Sequence, residues 1–159
     1  MKRNGFTLIE ILVVLTITGI LFGVGFASYR DFSRRQSIQG TAKMVQGDLR
    51  KAQQNAMSGL KPEDPKCNDP QILNGYNFNV DPSGTNYTIL ANCSGGNVII
   101  GDAINLPSGI TISSSLNPIL FKVLGTGTNV PIAGSTIILT QDVTNNKSTI
   151  FVGSAGDIK

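Results

Sequence analysis

The sequence predicts an α+β protein: one long N-terminal helix, with a membrane half and an amphipathic half, packed against a small antiparallel β-sheet domain. Three observations carry that prediction. No proline interrupts residues 6 to 61, so a single helix can run that far. Within it, Phe6 to Ala27 is an apolar run broken by one acid, Glu10, and beyond Ser28 the apolar residues thin to a stripe. From Gly75 onward Asn, Thr, Ser and Gly alternate with Ile and Val, a composition suited to short strands and tight turns.

At about 1.5 Å of rise per residue the apolar run is roughly 33 Å of helix, enough to cross the hydrocarbon of a bilayer. Lys2 and Arg3 precede it, which by the positive-inside rule puts the N-terminus in the cytoplasm and the following chain across the membrane. Residues 1–5 are too short for an ordinary secretory signal, and no small-residue cleavage site follows the run, so a cleavable signal peptide fits poorly. Glu10 is the anomaly. A carboxylate in a spanning segment costs at least about 2.5 kcal/mol at the helix centre, and less near the ends. It can snorkel to the headgroups, stay protonated, or be neutralised by the free amino terminus of a neighbouring copy, which would reward one axial register during assembly.

From Ser28 to Ser58, Ile38, Ala42, Val45, Leu49, Ala52 and Ala56 recur at helical spacing on one face, while Arg34, Arg35, Lys43, Asp48, Arg50 and Lys51 mostly lie off it. Small alanines and a short repeat favour packing on a domain over a coiled-coil seam. Gly59 ahead of Pro62 stops the helix. Leu60 to Gly75 holds three prolines and reads as a loop. Strands are expected near Tyr76–Val80, Tyr87–Ala91, Asn97–Ile100, Ile119–Leu124, Thr136–Thr140 and Thr149–Val152. Asp81-Pro82-Ser83-Gly84 turns the first into the second, and Thr144 to Lys147 joins the last two. One small antiparallel sheet would then bury a face against the stripe from Ile38 to Ala56.

Composition excludes much chemistry. Histidine is absent, so histidine triads, histidine bases and histidine–metal sites are ruled out, and no enzyme activity or cofactor is expected. The net charge is +3, but without Lys2 and Arg3 the chain has 11 basic against 10 acidic side chains, which gives nucleic acid little to bind. Gly125-Thr126-Gly127 lacks the lysine of a phosphate loop. Asp64, Asp69, Asp81 and Asp102 lack calcium-loop spacing, and no metal site is expected. The triplets at Asn86, Asn92 and Asn146 are those an Asn- and Ser-rich chain yields by chance. Cys67 and Cys93 read as one disulfide in an oxidising compartment, or as two free thiols in a reducing one.

The stretch GFTLIEILVVLTITGIL, behind a basic leader, resembles the prepilin N-terminus of the type IV pilin and type II secretion pseudopilin family. That resemblance implies a leader of residues 1–5, an assembly segment of residues 6–27, an amphipathic segment of residues 28–58 and a β domain of residues 59–159. It implies that a prepilin peptidase cuts between Gly5 and Phe6 and N-methylates Phe6, and that Glu10 is the family's acid used in assembly. The implied partners are other pilin or pseudopilin subunits, an inner-membrane assembly platform with its ATPase, and lipid before assembly. The implied location is the inner membrane, with the β domain periplasmic or extracellular, and then a filament. The sequence departs from many family members by placing Ala27 where a proline often stands; Gly19, Gly23 and Gly25 could weaken the helix instead. The segments Leu49 to Ala56, Leu106 to Ile110, Phe121 to Gly125 and Ile150 to Ile158 are similar to H-type minor pseudopilins and their pilus relatives. Two rival classes are a DNA-uptake pilus subunit and an unprocessed single-pass anchor for a binding domain.

Overall fold

The computed structural model describes residues 7–159. They form two compact units, one reaching to Gln36 and one from Ser37 to Lys159. The first unit is the N-terminal part of α1, which runs Leu8–Ser58 without a break. Gly19, Gly23 and Gly25 stay helical, with open space where a Cβ would stand.

The second unit holds the rest of α1 and eight strands: β1 Leu73–Val80, β2 Asn86–Cys93, β3 Gly96–Ile99, β4 Ile104–Asn105, β5 Ile110–Ser114, β6 Ile119–Lys122, β7 Ser135–Gln141 and β8 Lys147–Val152. α1 ends as Gly59 and Pro62 suggest. Gly59 takes φ +64°, its N–H donates to the Ala56 carbonyl, and the Leu60 N–H donates to the Asn55 carbonyl. That pair of bonds is a Schellman cap, which needs a residue free to enter the left-handed region. Of the stripe, Ile38, Val45, Leu49, Ala52 and Ala56 are buried and Ala42 is half-buried. Thr41 is also buried, made tolerable by its hydroxyl donating to the Ser37 carbonyl at 2.9 Å.

The expectation of a single sheet is corrected. β3, β2, β1 and β6 lie in that order in one antiparallel sheet, with β4 also pairing β2, while β5, β7 and β8 form a second. The split follows from pairing. β6 returns to the outer side of β1, with Phe121 opposite Tyr76, whereas β5 pairs β7, with Ile112 opposite Leu139. Strand β5 is absent from the strands expected above, although Ile110 and Ile112 are buried and alternate with polar residues. β4 is two residues long, too short for any periodicity to show. The loop after the helix is shorter than expected, since β1 begins at Leu73, and β6 stops at Lys122 ahead of a 3₁₀ turn, Val123–Gly125.

The hairpin at Asp81 to Gly84 is present. Gly84 has φ +69°, its N–H reaches the Asp81 carbonyl at 2.8 Å, and the Asp81 carboxylate accepts the Ser83 N–H at 2.9 Å. Hydrogen bonds from Ser83 hold the Asp81 carboxyl below its usual range. The β7–β8 turn begins earlier than expected. Gln141, buried at its base, accepts the Val143 and Thr144 N–H groups with its side-chain oxygen. Both sheets and the helix stripe share one core, in which the Phe78 and Tyr87 rings meet at 4.8 Å. Tyr87 donates its hydroxyl to Asp48 on α1 at 2.5 Å, and Gln53 of α1 donates to the Gly156 carbonyl at 2.8 Å. Burial, then the bond to Asp48, pushes the Tyr87 phenol above the ordinary tyrosine range.

Candidate assembly and anchoring site

Leu8 to Phe26 is built as a membrane solvent would require. Every backbone group in mid-helix is bonded within the helix, and the threonine hydroxyls turn back onto it. Thr16 donates to the Val13 carbonyl at 2.8 Å, and Thr18 donates to the carbonyls of Val14 and Leu15. The apolar side chains face outward. Leu8 is 84% exposed and Phe22 77%, and Ile9, Leu15, Ile20, Leu21 and Phe26 are all exposed. Among the described residues, α1 is the one helix long and apolar enough to cross a membrane by length and composition. A contiguous apolar surface of this extent marks a site of contact with lipid or with other helices.

Glu10 sits in the first turn of α1, exposed. Its backbone N–H reaches the Thr7 hydroxyl at 3.3 Å, and its carboxylate faces the Thr7 N–H at 3.5 Å. Thr-x-x-Glu with these reciprocal contacts is a capping box. The capping role was not expected from the sequence, although the spacing Thr7-Leu8-Ile9-Glu10 carries the signal. Within its own chain, Glu10 thus holds the first turn of the helix, and its charge interacts favourably with the N-terminal end of the helix dipole. Gly5 and Phe6, expected to flank the cleavage and methylation point, lie outside the described residues, as do Lys2 and Arg3.

Cys67 and Cys93 are bonded to each other, with Cα atoms 5.3 Å apart, and both are buried. The bridge ties the loop after α1 to the end of β2, within the second unit. It is well separated in the sequence from the N-terminal features and serves the stability of the β domain. Among the described residues no group of three or more His, Cys, Asp or Glu side chains is placed to hold a metal.

Three comparisons bear on this arrangement. Residues 1–26 match the prokaryotic N-terminal methylation motif. A probable minor fimbrial protein of Dichelobacter nodosus is 29% identical over 86 residues, which cover 49% of this chain and 54% of that protein. The chain thus spans about half the length of that curated relative. The minor pseudopilin EpsH of the Vibrio cholerae type 2 secretion system has a similar fold, with a TM-score of 0.57 at 9% identity over 77% of this chain and 94% of EpsH. The motif concerns the N-terminus, and the structural likeness concerns the fold of one long helix on antiparallel sheets. The chain thus carries a prepilin-type N-terminal methylation motif and, beyond it, shares the fold of a minor pseudopilin.

Proposed function

We propose that the chain is a minor subunit of a type II secretion pseudopilus, or of a related pilus-like filament. It is inserted by the run from Phe6 to Ala27, cut between Gly5 and Phe6, methylated on Phe6 and then polymerised through α1. The observation that carries this reading is the exposed apolar surface of α1 from Leu8 to Phe26, with Glu10 in its first turn. Such a surface fits lipid before assembly and the equivalent helices of other subunits afterwards. Transfer between the two environments changes little hydrophobic energy, because lipid tails are as apolar as the side chains. Direction and register must therefore come from elsewhere. A charge pair between Glu10 and the amino terminus of Phe6 on an adjacent subunit supplies register, since each ion is costly alone in apolar surroundings. The N-terminal end lies in the cytoplasm and the β domain beyond the membrane. The work of moving subunits falls to a platform with its ATPase, since the chain carries no phosphate-loop motif.

The capping box sharpens the test of Glu10. Glutamine caps as glutamate does but carries no charge. Glu10→Gln should leave processing intact and abolish most incorporation into sheared filaments, measured by immunoblot. Incorporation at the wild-type level would assign Glu10 to capping alone. Gly5→Val should block cleavage, because a peptidase has to approach the backbone closely there; a shortened product would contradict the assigned cleavage point.

A further inference from the structure

The membrane reading leaves one group of side chains unexplained. Arg30, Arg34 and Arg35 follow the apolar run directly, with Asp31 as the single acid among them, paired to Arg34 at 3.7 Å. Three arginines beyond the span outnumber Lys2 and Arg3 before it, against the usual bias of basic residues to the cytoplasmic side. They do not set orientation, because long domains cross largely regardless of charge. What they do is fixed by depth. With Leu8 at one face of the hydrocarbon, about 30 Å of helix ends near Phe26 to Tyr29. The headgroup layer, roughly 5–8 Å deep, begins there, within reach of the long side chains of Arg30, Arg34 and Arg35.

A second feature meets the first. Thr18, Leu21, Phe22, Gly25, Phe26 and Tyr29 line a shallow, open, almost wholly apolar groove along one face of α1, of about 490 Å³. Gly25 leaves its floor open, with nothing within 4 Å of where a Cβ would stand. The Arg30 guanidinium lies over the Phe26 ring, 5.9 Å from its centroid, which sets a cation at the mouth of the groove. An apolar groove with a guanidinium at one end matches an amphiphile with an apolar tail and an anionic head, and an arginine fork suits phosphate oxygens.

We propose that this face of α1 is a site for an anionic phospholipid of the outer leaflet, with its phosphate held by Arg30, an acyl chain laid along Leu21, Gly25 and Phe26, and Arg34 and Arg35 adding positive charge at the same depth. The site rests on the reading of α1 as a membrane segment. It gives the subunit a fixed depth before assembly and a lipid that has to be released when other helices take over the groove.

The test places the full-length chain in nanodiscs containing equal parts phosphatidylglycerol and phosphatidylcholine and counts the lipids retained by native mass spectrometry. The wild type should retain phosphatidylglycerol preferentially. An R30Q/R34Q/R35Q variant should lose that preference about tenfold or more, given about fivefold for each arginine, the ~1 kcal/mol typical of a basic residue at an anionic surface. Lys43→Gln, which lies beyond the headgroup layer, should leave the preference unchanged, and Gly25→Leu should lower retention of both lipids by filling the groove. Equal retention of the two lipids by the wild type would overturn the site. So would an unchanged preference in the triple variant, including the case where that variant instead loses chain-to-chain crosslinking, which would assign the arginines to a protein partner. A chain that does not enter nanodiscs at all would contradict the membrane reading itself, and the site with it.

Discussion

Leu15 and Leu49 belong to one uninterrupted helix, yet 66% of Leu15 is exposed and none of Leu49 is. The same contrast runs through the two parts of α1. Before Gln36, the described apolar side chains face outward, with Thr16 and Thr18 turned back onto the helix. After Ser37, a narrow stripe of Ile, Val, Leu and Ala is buried, and charged residues such as Arg50 and Lys51 lie outside it. Apolar content alone therefore does not mark a core. An all-round apolar surface belongs to a helix whose solvent is lipid or other helices, while a stripe belongs to a helix with one partner. The second part of α1 is packed on its own chain, while the first leaves its apolar side chains exposed.

That contrast is sharpest under substitution. The largest effect falls on the bridge. Replacing both Cys67 and Cys93 by serine should cost about 3.5 kcal/mol in the chain-entropy model for a separation of 26 residues, read as a lower denaturant midpoint of the β domain. The helical signal of the apolar part should not change, and a common loss of both would break the distinction. Next comes Leu49→Ala, expected to cost about 3 kcal/mol by leaving a cavity, set against Leu15→Ala, expected to stay within about 0.5 kcal/mol in detergent. Equal costs at the two positions would remove the contrast altogether.

A smaller effect, about 1–2 kcal/mol, is expected for Tyr87→Phe, which deletes the hydroxyl donated to Asp48 across the helix–sheet contact. The pH dependence follows from the raised phenol. In the unfolded chain the group titrates near 10, while in the folded protein it keeps its proton to higher pH. The unfolded state therefore binds fewer protons above pH 10, and stability, flat below that value for this group, falls as pH rises past it. Denaturant midpoints followed from neutral to alkaline pH should show this drop in the wild type and a shallower one in Tyr87→Phe. An equal drop in both would place the alkaline sensitivity elsewhere, for instance at Tyr76, whose phenol is also raised by burial.

Legibility in the sequence followed the same divide. The helix, its Gly59 stop, the buried stripe and the hairpin at Asp81 to Gly84 were readable, because each rests on local periodicity or on a turn with a defined backbone need. The two-sheet arrangement was not. Which strand pairs β1 on its outer side is decided by residues more than 40 positions apart, as with Phe121 and Tyr76, and no local pattern records that choice. β5 is readable in principle from the alternation of Ile110 and Ile112 with polar residues, but only two apolar positions carry it. At the site, Glu10 is legible through the cost of its charge, while its partner Thr7 is not, because a threonine in an apolar run carries no comparable cost.

Whether this chain is processed as its N-terminus implies decides between a filament subunit and a plain anchored domain. Intact mass and N-terminal fragmentation of the protein recovered from its native membrane, in cells with an active prepilin peptidase, test that directly. A filament subunit is expected to begin at Phe6 and to carry one added methyl group. A chain still beginning at Met1 would contradict that role, reduce Glu10 to a capping residue and leave a plain anchored β domain.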